Sequence, residues 1–140
     1  MGRRNRPSLS PRLVLDTGAL VALERGDERA FEHLVTAARR GFLVVVPTLV
    51  VMEALRGARA PQRLSQILKR LDAELPLVPE ISHLVQGLRM RAGTGSDTDA
   101  VVVLEALAVP GSAILTGDPA DIHALLEAAG SHGHVPVLRV

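Results

Sequence analysis

Leu13-Val14-Leu15-Asp16-Thr17-Gly18-Ala19-Leu20 carries an unbroken aliphatic run straight into a helical one, with an acid at the join. Apolar residues that do not alternate with polar ones read as a strand buried on both faces, here over residues 12–16. Thr17 or Gly18 then leads into a short helix from Ala19 to Glu24. The pattern returns late in the chain, where Ala113-Ile114-Leu115-Thr116-Gly117 runs into Asp118-Pro119. A strand that hands over at once to a helix is half of a β-α-β unit, and such units build parallel sheets.

Between these stretches, apolar runs alternate with amphipathic ones. Gly26-Asp27 starts a helix in which Phe31, Leu34, Val35 and Ala38 recur at helical spacing, and Gly41 ends it. Phe42 to Val46 make a second buried strand. Pro47 opens a helix through about Ala58, and Pro61 opens another through about Leu71. Leu75 to Val78 make a short third strand, followed by helices from about Glu80 to Arg91 and from Ser96 to Val109. Ser112 to Thr116 form a fourth strand, Pro119 to Ala129 a helix, and Val135 to Val140 a last strand. Crossovers between parallel strands cover both faces of a sheet. The expected class is therefore α/β, with a central, mainly parallel sheet of four or five strands between helices. Such folds bind ligands beyond the carboxyl ends of their strands.

The 140 residues suit one domain with one sizeable core. That core must be aliphatic, because Trp and Tyr are absent and Phe31 and Phe42 are the only aromatic residues. The lack of Cys removes disulfides, thiolate zinc sites and cysteine nucleophiles together, and fits a reducing compartment such as the cytoplasm. No segment approaches the roughly 20 apolar residues of a membrane span, and no secretory signal is expected. The net charge of +1 hides an asymmetry. Residues 1–12 hold Arg3, Arg4, Arg6 and Arg12 and no acid, so the remainder carries twelve bases against fifteen acids. Residues 1–11 read as a basic, disordered extension and residues 12–140 as the folded domain.

Four acids then fall where this fold would gather them: Asp16, Glu53 in Val50-Val51-Met52-Glu53-Ala54-Leu55, Asp99 in Ser96-Asp97-Thr98-Asp99-Ala100, and Asp118. Each has a purely structural reading. Asp118 before Pro119, with Asp121 in the first turn, is what a capped helix start looks like. Ser96 would cap the helix holding Asp99, and Glu53 would be a solvated residue beside Arg56. Only Asp16, directly ending an aliphatic strand, has no partner nearby in sequence. Two carboxylates about 4 Å apart repel by roughly 4 kcal/mol at an effective dielectric near 20, so a cluster of four requires protons or cations. Asp97 lies about 200° around a helix from Asp99, so both cannot face one metal unless Asp97 lies in the cap, whereas Asp121, three residues beyond Asp118, can more readily join the site.

These residues carry a resemblance. Leu13-Val14-Leu15-Asp16-Thr17-Gly18-Ala19-Leu20, Val51-Met52-Glu53-Ala54, Asp99-Ala100-Val101-Val102 and Leu115-Thr116-Gly117-Asp118-Pro119-Ala120-Asp121 resemble the motifs of PIN-domain nucleases. More narrowly, their order and spacing from residue 12 onward resemble the VapC-type toxins of bacterial toxin–antitoxin pairs. The resemblance implies a PIN-like three-layer α/β/α sandwich and a Mg²⁺- or Mn²⁺-dependent endoribonuclease, with Asp16, Glu53, Asp99 and Asp118 as its acidic quartet. It also implies an RNA substrate and a cognate antitoxin with an Arg against the carboxylates. In that reading Asp16 and Asp99 hold the principal metal, Asp118 completes its shell or binds a second ion, and Glu53 orients or deprotonates water. The chain departs from the pattern in two places. Gly18 stands where a small hydroxyl or amide residue is usual, and Gly117 where a polar residue is common; Thr17 and Thr116 are the substitute donors.

Other features are secondary. Arg56, Arg59, Arg63, Lys69, Arg70, Arg89 and Arg91 form either a solvated face or the cations that RNA needs beside an acidic site. His132-Gly133-His134 is an exposed pair past a helix end without a partner cluster, and His33, His83 and His123 read as helix-surface residues. The nearly all-apolar stretch 100–109 implies deep burial or a dimer interface, with an isologous homodimer expected. A catalytically degenerate PIN-like module that binds RNA or protein is the alternative. A phosphoryl-receiver site fits poorly, because no Asp-x-Asp follows the first strand and Lys69 is mid-helix.

Overall fold

The computed structural model describes residues 9–131 and 133–140, so Arg3, Arg4, Arg6 and His132 lie outside it. Strand β1 (Arg12–Leu15) leads into helices α1 (Thr17–Glu24) and α2 (Glu28–Arg39) and then strand β2 (Leu43–Pro47). Helices α3 (Thr48–Arg56) and α4 (Pro61–Arg70) reach strand β3 (Ala73–Leu75), and α5 (Pro79–Ala92) and α6 (Asp97–Leu107) reach β4 (Ala113–Thr116). Helix α7 (Pro119–Ala128) and strand β5 (Val137–Arg139) complete the fold.

All four strand pairings are parallel, in the order β3-β2-β1-β4-β5. Helix α2 packs on β2 with α1 beside it, while α6 packs across β1 and β4 with α5 and α7 alongside. The result is the expected three-layer α/β/α arrangement with five strands. The central strands explain the apolar runs: Leu13, Val14, Leu15, Ile114 and Leu115 are at most 1% exposed. Each such side chain contributes about 1.5–3 kcal/mol by leaving water. No helix among the described residues is long and apolar enough to cross a membrane.

Several boundaries differ from the sequence reading. The third strand lies at Ala73–Leu75 instead of Leu75–Val78. Pro76 has no N–H to donate to a ladder, and Leu77 and Val78 are exposed. Asp72 starts the strand, since its carboxylate accepts from the Val44 N–H at 2.7 Å while its own N–H donates to the Val44 carbonyl. Pro47 is the last residue of β2, aligned with Leu75, and not the first of α3. The helix holding Asp99 is buried within the monomer on nearly every side, Ala100 to Val103 being at most 1% exposed. Deep burial thus accounts for its composition, and the dimer interface expected of this stretch is not what its apolar side chains serve. Arg12 belongs to the folded body: its Nη1 reaches Glu105 Oε1 at 3.1 Å and the Glu105 carbonyl at 3.0 Å, pairing the one acid of that apolar stretch.

Candidate active site

Strand order reverses between β1 and β4, because the chain grows outward from β1 on one side and from β4 on the other. The crevice outside the carboxyl ends at such a switch point is where open α/β sheets bind ligands. Asp16 follows β1 directly, and Asp118 follows β4 after Gly117.

Asp16 caps α1 and is 4% exposed. Its Oδ1 accepts from the Ala19 N–H at 2.8 Å, its Oδ2 accepts from the Thr116 hydroxyl, and the Gly117 N–H is shared between both oxygens at 3.2 and 3.3 Å. The fully buried Thr116 hydroxyl in turn accepts from the Asp118 N–H at 2.8 Å. One threonine therefore ties the two acid-bearing turns together. Of the two donors expected to replace the polar residues absent at 18 and 117, Thr116 serves and Thr17 does not, since the buried Thr17 hydroxyl has no partner.

The glycines have their own reason. A Cβ on Gly18 would lie 2.8 Å from Gly117 Cα, and a Cβ on Gly117 would lie 3.0 Å from Gly18 Cα. The turns after β1 and β4 touch backbone to backbone, which lets the Gly117 N–H reach Asp16. Gly18→Ser, which restores the small hydroxyl residue of the resemblance, is expected to destabilise by about 1–3 kcal/mol through overpacking. That outweighs the helix-propensity gain of about 0.5 kcal/mol. Urea unfolding checks it: an unchanged midpoint would mean that the contact relaxes freely.

Asp99 is the third residue of α6 and forms a capping box with Ser96, whose Oγ accepts from the Asp99 N–H at 3.0 Å while Asp99 Oδ2 accepts from the Ser96 N–H at 3.1 Å. Burial pushes the Asp99 carboxyl up, the Ser96 bonds oppose this, and the Asp121 and Asp118 charges add to the rise. Burial likewise raises Asp16 against its three hydrogen bonds, with the Asp99 charge adding to it. Asp16, Asp99, Asp118 and Asp121 thus share one electrostatic neighbourhood.

The remaining acids sort themselves. Asp118 stands at the N-cap position of α7 but accepts no capping hydrogen bond, so its purely structural reading gains no support, and its exposed carboxylate has no hydrogen-bond partner among the described residues. Asp121 accepts from the Thr94 hydroxyl at 2.7 Å. Asp97 turns away to Arg89, Oδ1 to Nη1 at 2.7 Å, while Arg89 Nε also donates to the Gly95 carbonyl. Glu53 lies exposed on α3 and accepts from the Thr98 hydroxyl at 3.3 Å, forming no ion pair with Arg56. Thr98 and Thr94 were invisible as site residues, because their partners lie 45 and 27 positions away.

Every donor here is a carboxylate oxygen, a set that favours Mg²⁺ or Mn²⁺ over softer ions. Among the described residues no three Asp, Glu or His side chains are grouped tightly enough to hold an ion by themselves. Mg²⁺ does not demand that: it keeps several waters and takes one or two carboxylates plus substrate phosphate oxygens. A carboxylate offers about four acceptor sites. Asp16 has most of its sites engaged, Asp99 accepts one bond and Asp118 none, so the set fits such an ion with Asp99 and Asp118 the freer donors. His134 is exposed, and its neighbour His132 lies outside the described residues.

Away from the acids, a groove of about 800 Å³ lies between α2 and α4, lined by Phe31, Leu34, Val35 and Ile67 together with Arg63 and Arg70.

No protein-family model matches the sequence, and no curated protein matches it either. Solved structures do. A chain of VapBC2 from Rickettsia felis, crystallised bound to a DNA fragment from its promoter, aligns at 12% identity and a TM-score of 0.65, covering 91% of this chain and 98% of the other. A chain of DNA-bound VapBC from Salmonella typhimurium aligns at 15% identity and a TM-score of 0.58, covering 92% and 98%. The likeness is one of fold: this chain has the PIN-like architecture found in those VapBC complexes, matched over nearly its whole described length.

Proposed function

We propose that this protein is a toxin of the VapC type, an endoribonuclease that hydrolyses phosphodiester bonds with Mg²⁺ or Mn²⁺. The observation that carries the reading is the convergence of Asp16, Asp99, Asp118 and Asp121 at the sheet's switch point, where burial and mutual repulsion raise the Asp16 and Asp99 carboxyls. Unpaired repulsion of this kind is relieved by a cation. Asp16 and Asp99 would hold the principal ion and Asp118 would complete its shell. When bound, the cation would neutralise the carboxylates and polarise water and phosphate oxygens. The chain supplies the rest: Thr116 fixes Asp16, the Ser96 capping box fixes Asp99, and Glu53 orients or deprotonates the attacking water. Arg56, one turn beyond Glu53 on α3 and without an ion-pair partner among the described residues, is the best-placed cation for RNA phosphate. Arg89 is committed to its clasp, and Arg63 and Arg70 border the other groove.

The partner is a cognate antitoxin, as in the complexes that share the fold. The apolar groove with its arginine edge suits an amphipathic segment bearing acids, with an Arg from the same partner reaching the carboxylates. An isologous homodimer is part of this reading; exposed Met52, Leu55 and Leu84 are available to it, and helix α6 is not. Action on RNA beside an antitoxin belongs in the cytoplasm.

Purified protein is expected to cleave a panel of structured RNAs with Mg²⁺ or Mn²⁺ and to lose that activity in EDTA, with Asp99→Asn prepared identically as the contamination control. RNA binding without cleavage in any metal would favour the degenerate binding module instead, a reading supported by the lack of a tight three-acid group among the described residues.

A further inference from the structure

Glu53 presents a problem for any role in positioning water. It sits exposed on α3, its flexible side chain has three torsions to restrain, and among the described residues neither Arg56 nor another cation pairs with it. Its carboxylate is nevertheless held, by the Thr98 hydroxyl, which donates to Oε2 at 3.3 Å. Thr98 suits this task for three reasons. Its χ1 is stiff because it is β-branched, and the residue is only 9% exposed. It is the second residue of α6, in a first turn that offers no intrahelical carbonyl four residues back to compete for its hydroxyl. The helix start on which it stands is locked by the Ser96–Asp99 capping box.

Thr98 and Asp99 are consecutive, so the hydroxyl that holds Glu53 and the carboxylate at the centre of the acid cluster move as one unit. We infer that Thr98 is a positioning residue that registers Glu53 against Asp99, coupling α3 to the start of α6. This rests on the nuclease reading for its consequence in catalysis, though not for the contact itself.

The test compares wild type with Thr98→Val, Thr98→Ser, Glu53→Gln and the Glu53→Gln/Thr98→Val double variant. Thr98→Val keeps the shape and removes the donor. It is expected to lower kcat by about 10- to 100-fold with KM within about twofold, because a misplaced Glu53 spoils the transition state and not RNA binding. Thr98→Ser restores the hydroxyl and brings kcat back toward wild type. The double variant is expected to be no slower than Glu53→Gln alone, since residues acting through one another are not additive. Side-chain ¹³C relaxation of Glu53 in the metal-free protein gives a readout independent of activity: ordered in wild type, mobile in Thr98→Val. Losses that add in the double variant, a kcat unchanged by Thr98→Val, or equal Glu53 mobility in both proteins would overturn the inference. If wild type cleaves no RNA, the nuclease reading fails, and the relaxation comparison still decides whether Thr98 holds Glu53. Should Thr98→Val fail to fold, Thr98→Ala carries the same comparison.

Discussion

Asp99→Asn is expected to reduce RNA cleavage by about a thousandfold, equivalent to about 4 kcal/mol of transition-state stabilisation, while making the metal-free protein more stable at pH 7. The first effect follows from removing a charge that the proposed cation requires. The second follows from the electrostatics of the unliganded site. Burial, then the neighbouring Asp121 and Asp118 charges, raise the Asp99 carboxyl, and its charge raises Asp16 further. A carboxyl whose folded pKa exceeds its unfolded value binds its proton more tightly when folded. Its contribution to stability is therefore full below the unfolded pKa and is lost as pH rises through the raised folded value. Asn keeps an oxygen for the Ser96 N–H, so the capping box survives while the repulsion goes.

Urea midpoints of wild type and Asp99→Asn should converge in acid and separate as pH rises, with the variant the more stable. Mn²⁺ at about a hundred times its Kd should stabilise wild type by about 2.7 kcal/mol and the variant far less. A variant less stable than wild type at pH 7 would mean that Asp99 serves the helix start more than it strains the site, and the case for a cation there would weaken. Activity and stability are thus expected to move in opposite directions, as for a site that is strained until filled.

The strands and most helices were legible because their signals are local: apolar runs of four or five residues, helical spacing in Phe31, Leu34 and Val35, and prolines at helix starts. The third strand was misplaced because Leu75-Pro76-Leu77-Val78 is apolar without being buried. What makes Ala73 and Glu74 a strand is pairing with Val45 and Val46, a contact across two helices. The placement of Asp16 and Asp118 just beyond the ends of adjacent strands was legible for the same reason as the sheet, since the apolar runs define those strands. Of the supporting hydroxyls, Thr116 was legible as a substitute donor beside Gly117, whereas the Thr98–Glu53 bond spans elements whose docking no local pattern encodes. Asp118 had two readings in the sequence, a helix cap and a site carboxylate. Its sequence context is that of a cap, yet at φ −137° and ψ 78° its side chain makes no capping bond, leaving a carboxylate that the helix start does not consume.

Asp16→Ala is expected to cost about 3–5 kcal/mol of folding stability, whereas Asp16→Asn should stay within about 1 kcal/mol of wild type. The alanine strips the acceptor from three donors at once: the Ala19 N–H of the α1 cap, the Thr116 hydroxyl and the Gly117 N–H. Loss of a helix cap costs about 1 kcal/mol, and each buried donor left without a partner about 1–3 kcal/mol more. Water cannot readily replace the lost oxygens where the residue is 4% exposed and the Gly18–Gly117 backbones are already in contact. Asparagine keeps one oxygen for Ala19 and Gly117, and the Thr116 hydroxyl can rotate to accept from the new amide instead of donating. Urea unfolding of both variants decides the point. If alanine proved as mild as asparagine, Asp16 would not be the joint between β1, α1 and β4, and the Gly18–Gly117 backbone contact would have to hold the two turns together by itself. If asparagine proved as harmful as alanine, the Thr116 hydroxyl must be locked by the Asp118 N–H that it accepts, which would make Thr116 the fixed point and Asp16 the group that adapts to it.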